Sequence, residues 1–176
     1  QMCIRDSNSE VHFVLADHFF SGNWHSKFHP LSIQFNENVW RLINDGHDNQ
    51  EGALFGLFSE NDGASFSLDY ALKDPKLEYD YEFAEAEFFS RMFNLDNQCQ
   101  RLESVQLNID EFEFTCNRYL FHNQKFGAQR VLRAMHINQD FIIAIGMAWP
   151  EQSESEQILI PKFRLLTEHL KLRNEY

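Results

Sequence analysis

Two short runs joined by ENDG constrain this chain more than any other feature: ALFGLFS at 53 to 59 and ASFSLDYAL at 64 to 72. In the second run Phe66, Leu68, Tyr70 and Leu72 alternate with Ser65, Ser67, Asp69 and Ala71. That period of two is the mark of a strand with one buried and one wet face. Asn61, Asp62 and Gly63 tolerate the positive φ of a tight turn, so the two runs read as a hairpin. A chain built around such a hairpin has an antiparallel sheet at its centre.

The same alternation recurs along the chain. LSIQF at 31 to 35 and NVWRLIN at 38 to 44 read as strands on either side of the polar Asn36-Glu37 break, with DGHDNQEG following as a loop. Val105, Leu107 and Ile109 alternate, and Phe112, Phe114 and Cys116 continue in the opposite parity, which requires a turn or bulge near Asp110-Glu111. GAQRVLRAMHI, a turn at Asn138-Gln139-Asp140 and FIIAIGMAW form a further hairpin whose strands read as central.

The period changes twice. After Asp74-Pro75, Tyr81, Ala84, Phe88, Met92 and Leu95 recur at helical spacing, and acids near the start of that segment suit the positive end of a helix dipole. Near the C-terminus Leu159, Phe163, Leu166 and Leu170 form a second stripe. Ser153 and Glu156 stand at capping-box spacing, but Pro161 belongs in a first turn, so this helix is expected to start near Gln157 to Ile160. The order of strands, helix, strands and helix gives an α+β class: a mainly antiparallel sheet flanked by two main helices in an α/β/α sandwich.

This order, carried by the WRLIN strand, the acidic helix, the RLESVQLNIDEFEFTCNRYLF hairpin, FIIAIGMAWP and the closing amphipathic segment, resembles the PsbP-like superfamily over about residues 29 to 172. That superfamily includes the photosystem II extrinsic protein, DcrB-type lipoproteins and a Ran-binding import factor. The chain carries Asp110-Glu111 where the family's middle hairpin usually has a glycine. The resemblance implies a binding or assembly module without catalysis. It does not name a partner, since a shared fold does not fix a function.

At 176 residues, one domain is expected over 31 to 176, preceded by an aromatic and histidine-rich extension over 8 to 30. QMCIRDS, residues 1 to 7, resembles a translated adapter remnant of the kind found at the ends of metagenomic reading frames, and is set apart from fold reasoning. The net charge of −12 opposes attraction to phosphate backbones, so another protein rather than nucleic acid is the expected partner. No apolar run reaches the roughly 18 to 20 residues of a membrane-spanning helix. The compartment and oligomeric state stay open.

Charge is unevenly distributed. Eleven acids face three bases between Asp74 and Glu113, whereas Arg118, Lys125, Arg130 and Arg133 occur with no acid before Asp140. Docking would draw on Glu78, Glu82 and Glu85 of the acidic helix, or on Arg118, Lys125 and Arg130 of the basic hairpin. Ordinary solvated faces are the plainer reading of the same charges. Arg130 and Arg133 are an odd number apart and must leave a regular strand on opposite faces.

HFFSGNWHSKFH at 18 to 29 raises a metal site built on His18, His25 and His29. Its spacings are poor for converging ligands, and Pro30 disfavours helix at His29. An aromatic strand and loop, with Phe13, Leu15, Phe19, Trp24 and Phe28 on the sheet and the histidines toward solvent, is preferred. Cys99 and Cys116 fit no zinc or redox spacing; two buried free thiols are preferred to a disulfide between them. No GxSxG, HExxH, Walker or GxGxxG motif is present. Glu111 with Glu113, and Cys116 with His122 or His136, are weak catalytic pairs. No enzymatic activity and no cofactor are expected; a small enzyme or ligand carrier with an aromatic cavity bounded by Trp40, Phe88 and Trp149 is the alternative.

Overall fold

In the computed structural model, residues 20–45, 48–76, 85–86, 98–109, 112–123, 127–151 and 156–172 are described. The central hairpin forms as its alternation requires, with β4 (Gly52–Ser59) antiparallel to β5 (Ala64–Leu72). Gly63 closes the turn with a φ of 61°, a conformation that a Cβ would oppose. β5 pairs in turn with β9 (Phe141–Pro150), β9 with β8 (Gly127–Ile137), β8 with β7 (Phe112–Asn123), and β7 with β6 (Gln98–Ile109). With β3 (Arg41–Asn44) on the far side of β4, the order is β3-β4-β5-β9-β8-β7-β6, antiparallel throughout. β8 and β9 are interior strands, as their long apolar runs predict.

A smaller sheet of order β1-β2-β10 joins β1 (Gly22–His25), β2 (Leu31–Phe35) and β10 (Leu170–Leu172). Between β9 and β10 lies α1 (Glu156–Glu168). Leu159, Phe163 and Leu166 are buried, and the ring of Phe163 lies 6.3 Å from that of Phe66 on β5. Register lines up Phe55, Leu68, Ile145, Ala134 and Cys116 in one row across five strands, and all are buried. One cluster unites this face with Trp24, Ile33 and Phe35 of the small sheet and the stripe of α1. Burial of that apolar area is the main force holding the layers together.

The opposite face of the large sheet is also closed over β7, β8 and β9. Asn117, Arg133, Met135 and Ala144 are each 4% exposed or less. Gly146 stands between Arg133 and Ser67 in the register, where a Cβ would come within 3.1 Å of the Ser67 hydroxyl.

The class is α+β with a mainly antiparallel sheet, and α1 is the helix of more than two residues among the described residues. Of the expected first helix only Glu85 and Ala86 are described, both helical; the rest lies outside the described residues. NVWRLIN is not one strand. Asn36 accepts from the Asn38 amide through its side chain, and from Val39 and Trp40 through its carbonyl, making a turn that delays β3 to Arg41. Leu170 is buried as expected, but as a strand residue paired with Ile33. Pro161 lies beyond the first turn of α1, tolerated where the helix is held by its buried stripe. Phe28 is 53% exposed, because it occupies the Ser26-capped loop ahead of β2.

Candidate functional site

The turn at 36–40 carries the chain from β2, the middle strand of the small sheet, to β3 at the edge of the large one. Asn36 is buried at its start, and the Glu37 amide donates to the Ser21 hydroxyl at 3.1 Å, fixing the turn beside β1. Between these parts opens a cleft of about 900 Å³, lined by Trp24 and His25 of β1, Phe35 of β2, Trp40 in the turn, and Arg41 and Leu42 of β3. Glu37, Asp45 and Glu60 stand around it.

Its floor is rigid. Trp24 and Phe35 both pack on Phe55, with ring centroids 5.0 and 5.9 Å away, and Trp40 is buried. Its rim is open. Arg41 and Glu60 meet at 3.5 Å with most of each side chain in solvent, and Leu42 and Ile43 are 42% and 54% exposed. β3 has β4 on one side and, among the described residues, no strand on the other. Three carboxylates against one arginine give the rim an acidic balance, apart from His25. These residues can hold an apolar or cationic group by contact and charge.

A second group of residue types associated with catalysis is sealed. Lys162 of α1 donates to Asp62 at 2.7 Å, and the Ser59 hydroxyl donates to the same Asp62 oxygen, also at 2.7 Å. Ser59 is 0% exposed and the Lys162 and Asp62 side chains 3% and 10%, so this cluster fastens α1 to the β4–β5 turn. Nothing in the local sequence signals it, since the two charges are a hundred residues apart.

The expected docking residues separate. Glu78, Glu82 and Lys125 lie outside the described residues. Glu85 is only partly exposed; its carboxylate accepts from Asn117 at 2.9 Å, and its carbonyl from Arg133 at 3.3 Å. Arg101 donates to Asn117 at 2.9 Å, extending the cluster to solvent. Arg118 and Arg130 are half-buried, and Arg130 meets Glu151 at 3.8 Å. Arg130 pairs in register with Trp149 and Arg133 with Gly146, on opposite faces as their spacing requires.

His18 lies outside the described residues, and the other two histidines serve different neighbours. His25 bonds the Asn23 side chain at 2.7 Å, while His29 bonds the Asn49 carbonyl at 2.7 Å and lies over Tyr70 at 4.6 Å. Among the described residues no three His, Cys, Asp or Glu side chains gather as a metal site would need. Cys116 is a free, buried thiol, and burial pushes its pKa up to about 11 against the nearby Arg118, the Arg133 backbone and Arg164. Trp40 does line a cavity, but Trp149 is 1% exposed inside the core and Phe88 is outside the described residues. No helix among the described residues is long and apolar enough to cross a membrane.

No protein-family model and no curated protein matches the sequence. Solved structures do match the fold, which is PsbP-like. The solution structure of cyanobacterial PsbP from Synechocystis sp. PCC 6803 aligns with a TM-score of 0.60 at 8% identity, over 86% of this chain and 92% of that one. A crystal structure from Bacteroides thetaiotaomicron aligns at 0.57 and 9% identity over 89% of this chain, which spans half the length of that protein. LpqN, described as involved in cell envelope biogenesis of Mycobacterium tuberculosis, aligns more loosely at 0.49 and 12% identity, over 76% of this chain and 78% of that one.

Proposed function

We propose that the chain is a non-enzymatic protein-binding or assembly module of PsbP-like architecture, an α/β/α sandwich whose sheet is flanked by two main helices. The observation that carries this reading is the division between a filled interior and an open rim. Phe66, Met147, Trp149 and Phe163 occupy the space between sheet and α1 at 2% exposure or less, while apolar side chains reach solvent at the β3 edge. Solvent-exposed apolar groups beside an aromatic-floored cleft suit a macromolecular surface. The PsbP-like fold supports the same reading at the level of architecture. It fits a protein working either in the cytoplasm or after export.

The test sets the purified chain against chromogenic ester, phosphate and glycoside substrates and against an immobilised peptide array. Saturable peptide binding without turnover is expected. Turnover abolished by a single substitution in the cleft would overturn the reading. A second reading, a carrier of a small apolar ligand, is favoured by the Trp40-lined cleft alone, and predicts that a naphthyl or indole probe binds there more tightly than any peptide.

A further inference from the structure

We infer that the β1–β3 cleft receives an extended, lysine- or arginine-bearing peptide segment of a partner protein, which adds as a strand to the outer edge of β3. This rests on the binding-module reading and specifies its partner chemistry. Three independent observations meet at this edge. β3 has no neighbouring strand on its outer side among the described residues. Leu42 and Ile43 are exposed on it, an arrangement that edge strands ordinarily avoid because it invites pairing. Glu37, Asp45 and Glu60 surround the cleft with Arg41 as the one lysine or arginine among its lining residues.

The geometry assigns a role to each part. An extended segment hydrogen-bonds through its backbone to a sheet edge and presents alternate side chains to the same face. On the cleft side those side chains meet Leu42 and the Trp24 and Trp40 floor, in a space of about 900 Å³. Basic side chains on the segment meet the Glu37 and Asp45 carboxylates, which make no ion pair among the described residues. An acidic segment would be repelled by the same groups, so charge sets selectivity and apolar contact sets residence. The register shift between Leu42 and Asn44 limits the added strand to a short one.

The test titrates isotope-labelled protein with the capped octapeptide Val-Thr-Lys-Thr-Val-Thr-Lys-Thr, which puts valine and lysine on one strand face, and with its valine–glutamate counterpart, at low salt. The lysine peptide is expected to shift the backbone amides of Arg41, Leu42 and Ile43 and the indoles of Trp24 and Trp40. Its affinity should exceed that of the glutamate peptide by about tenfold or more, and fall by a similar factor in the double variant Glu37→Lys, Asp45→Lys. Both substitutions are on exposed residues, so the variant folds even where Leu42→Lys does not. Equal binding of the two peptides, or shifts confined to another surface, would overturn the inference while leaving a general binding module standing. Concentration-dependent dimerisation abolished by Leu42→Lys would assign the edge to a second copy of the chain and overturn it too. Failure of every peptide together with turnover of a chromogenic substrate would remove both readings.

Discussion

Glu60 and Asp62 are two residues apart in one turn, each facing a base, yet they belong to different kinds of structure. Asp62 and Lys162 meet at 2.7 Å with both side chains nearly excluded from solvent, and Ser59 adds a hydrogen bond. Glu60 and Arg41 meet at 3.5 Å with 71% and 65% of their side chains exposed. The first pair closes the side of the sandwich where α1 rests; the second borders the open cleft. Similar charges therefore tie down one side and leave the other available, and water decides which.

Removing one partner from the sealed side gives the largest effect. Asp62→Ala removes a carboxylate partner from the buried Lys162 ammonium and should cost about 3 to 5 kcal/mol in urea-denaturation free energy. The double change Asp62→Leu, Lys162→Met should recover much of that loss. If the single variant denatures like the parent, the pair is not sealed and the contrast fails.

Cys116 tests the same sealing by pH. Its neutral form is favoured in the fold, with a pKa raised from an ordinary thiol value of 9.0 to about 11, chiefly by burial. The stabilisation is thus complete below about pH 9 and is lost as pH rises through about 11, an effect on the order of 2 to 3 kcal/mol. Cys116→Ser should flatten that part of the stability profile. In native protein at pH 8 a thiol reagent should leave Cys116 unmodified until urea is added. Rapid labelling would show that the core opens near β7.

The contrast between sides also explains what was legible in the sequence. Alternation depends on neighbours two residues apart, so the boundaries of LSIQF, ASFSLDYAL and GAQRVLRAMHI are the observed ones. The burial of Leu159, Phe163 and Leu166 follows from helical spacing in the same way. Where one side chain redirects the backbone, periodicity misleads: the Asn36 turn shortens β3, and pairing with β2 draws Leu170 out of the helix. The candidate site was less legible still. From sequence Trp40 reads as a wall of an internal cavity with Trp149, because sequence does not say that β3 has no outer neighbour among the described strands. The cleft arises from two sheet edges that meet only after folding, and the Lys162–Asp62 fastening from charges with no sequential relation.

Gly63 sits between these two regions and isolates the cost of the turn itself. A Cβ there would meet only Pro150 at 3.6 Å, ordinary contact, so Gly63→Ala should cost about 1 to 2 kcal/mol from the positive φ alone. Thermal unfolding should show a lowered midpoint with unchanged peptide binding. A much larger loss would mean the turn also positions Asp62 for Lys162.

The smallest effect belongs to the open side. Arg41→Ala removes a pair whose members are both mostly hydrated, so little desolvation is relieved and little attraction is lost; the change should be below about 0.5 kcal/mol. Binding should respond in the opposite direction from stability. Without Arg41 the cleft loses a competing cation, and Glu60 becomes available to a basic segment, so the valine–lysine octapeptide should bind slightly tighter while the fold is almost unaffected. Equal stability losses from Arg41→Ala and Asp62→Ala would mean that the cleft rim is as structural as the α1 contact, and the division between a fastened side and an available one would disappear.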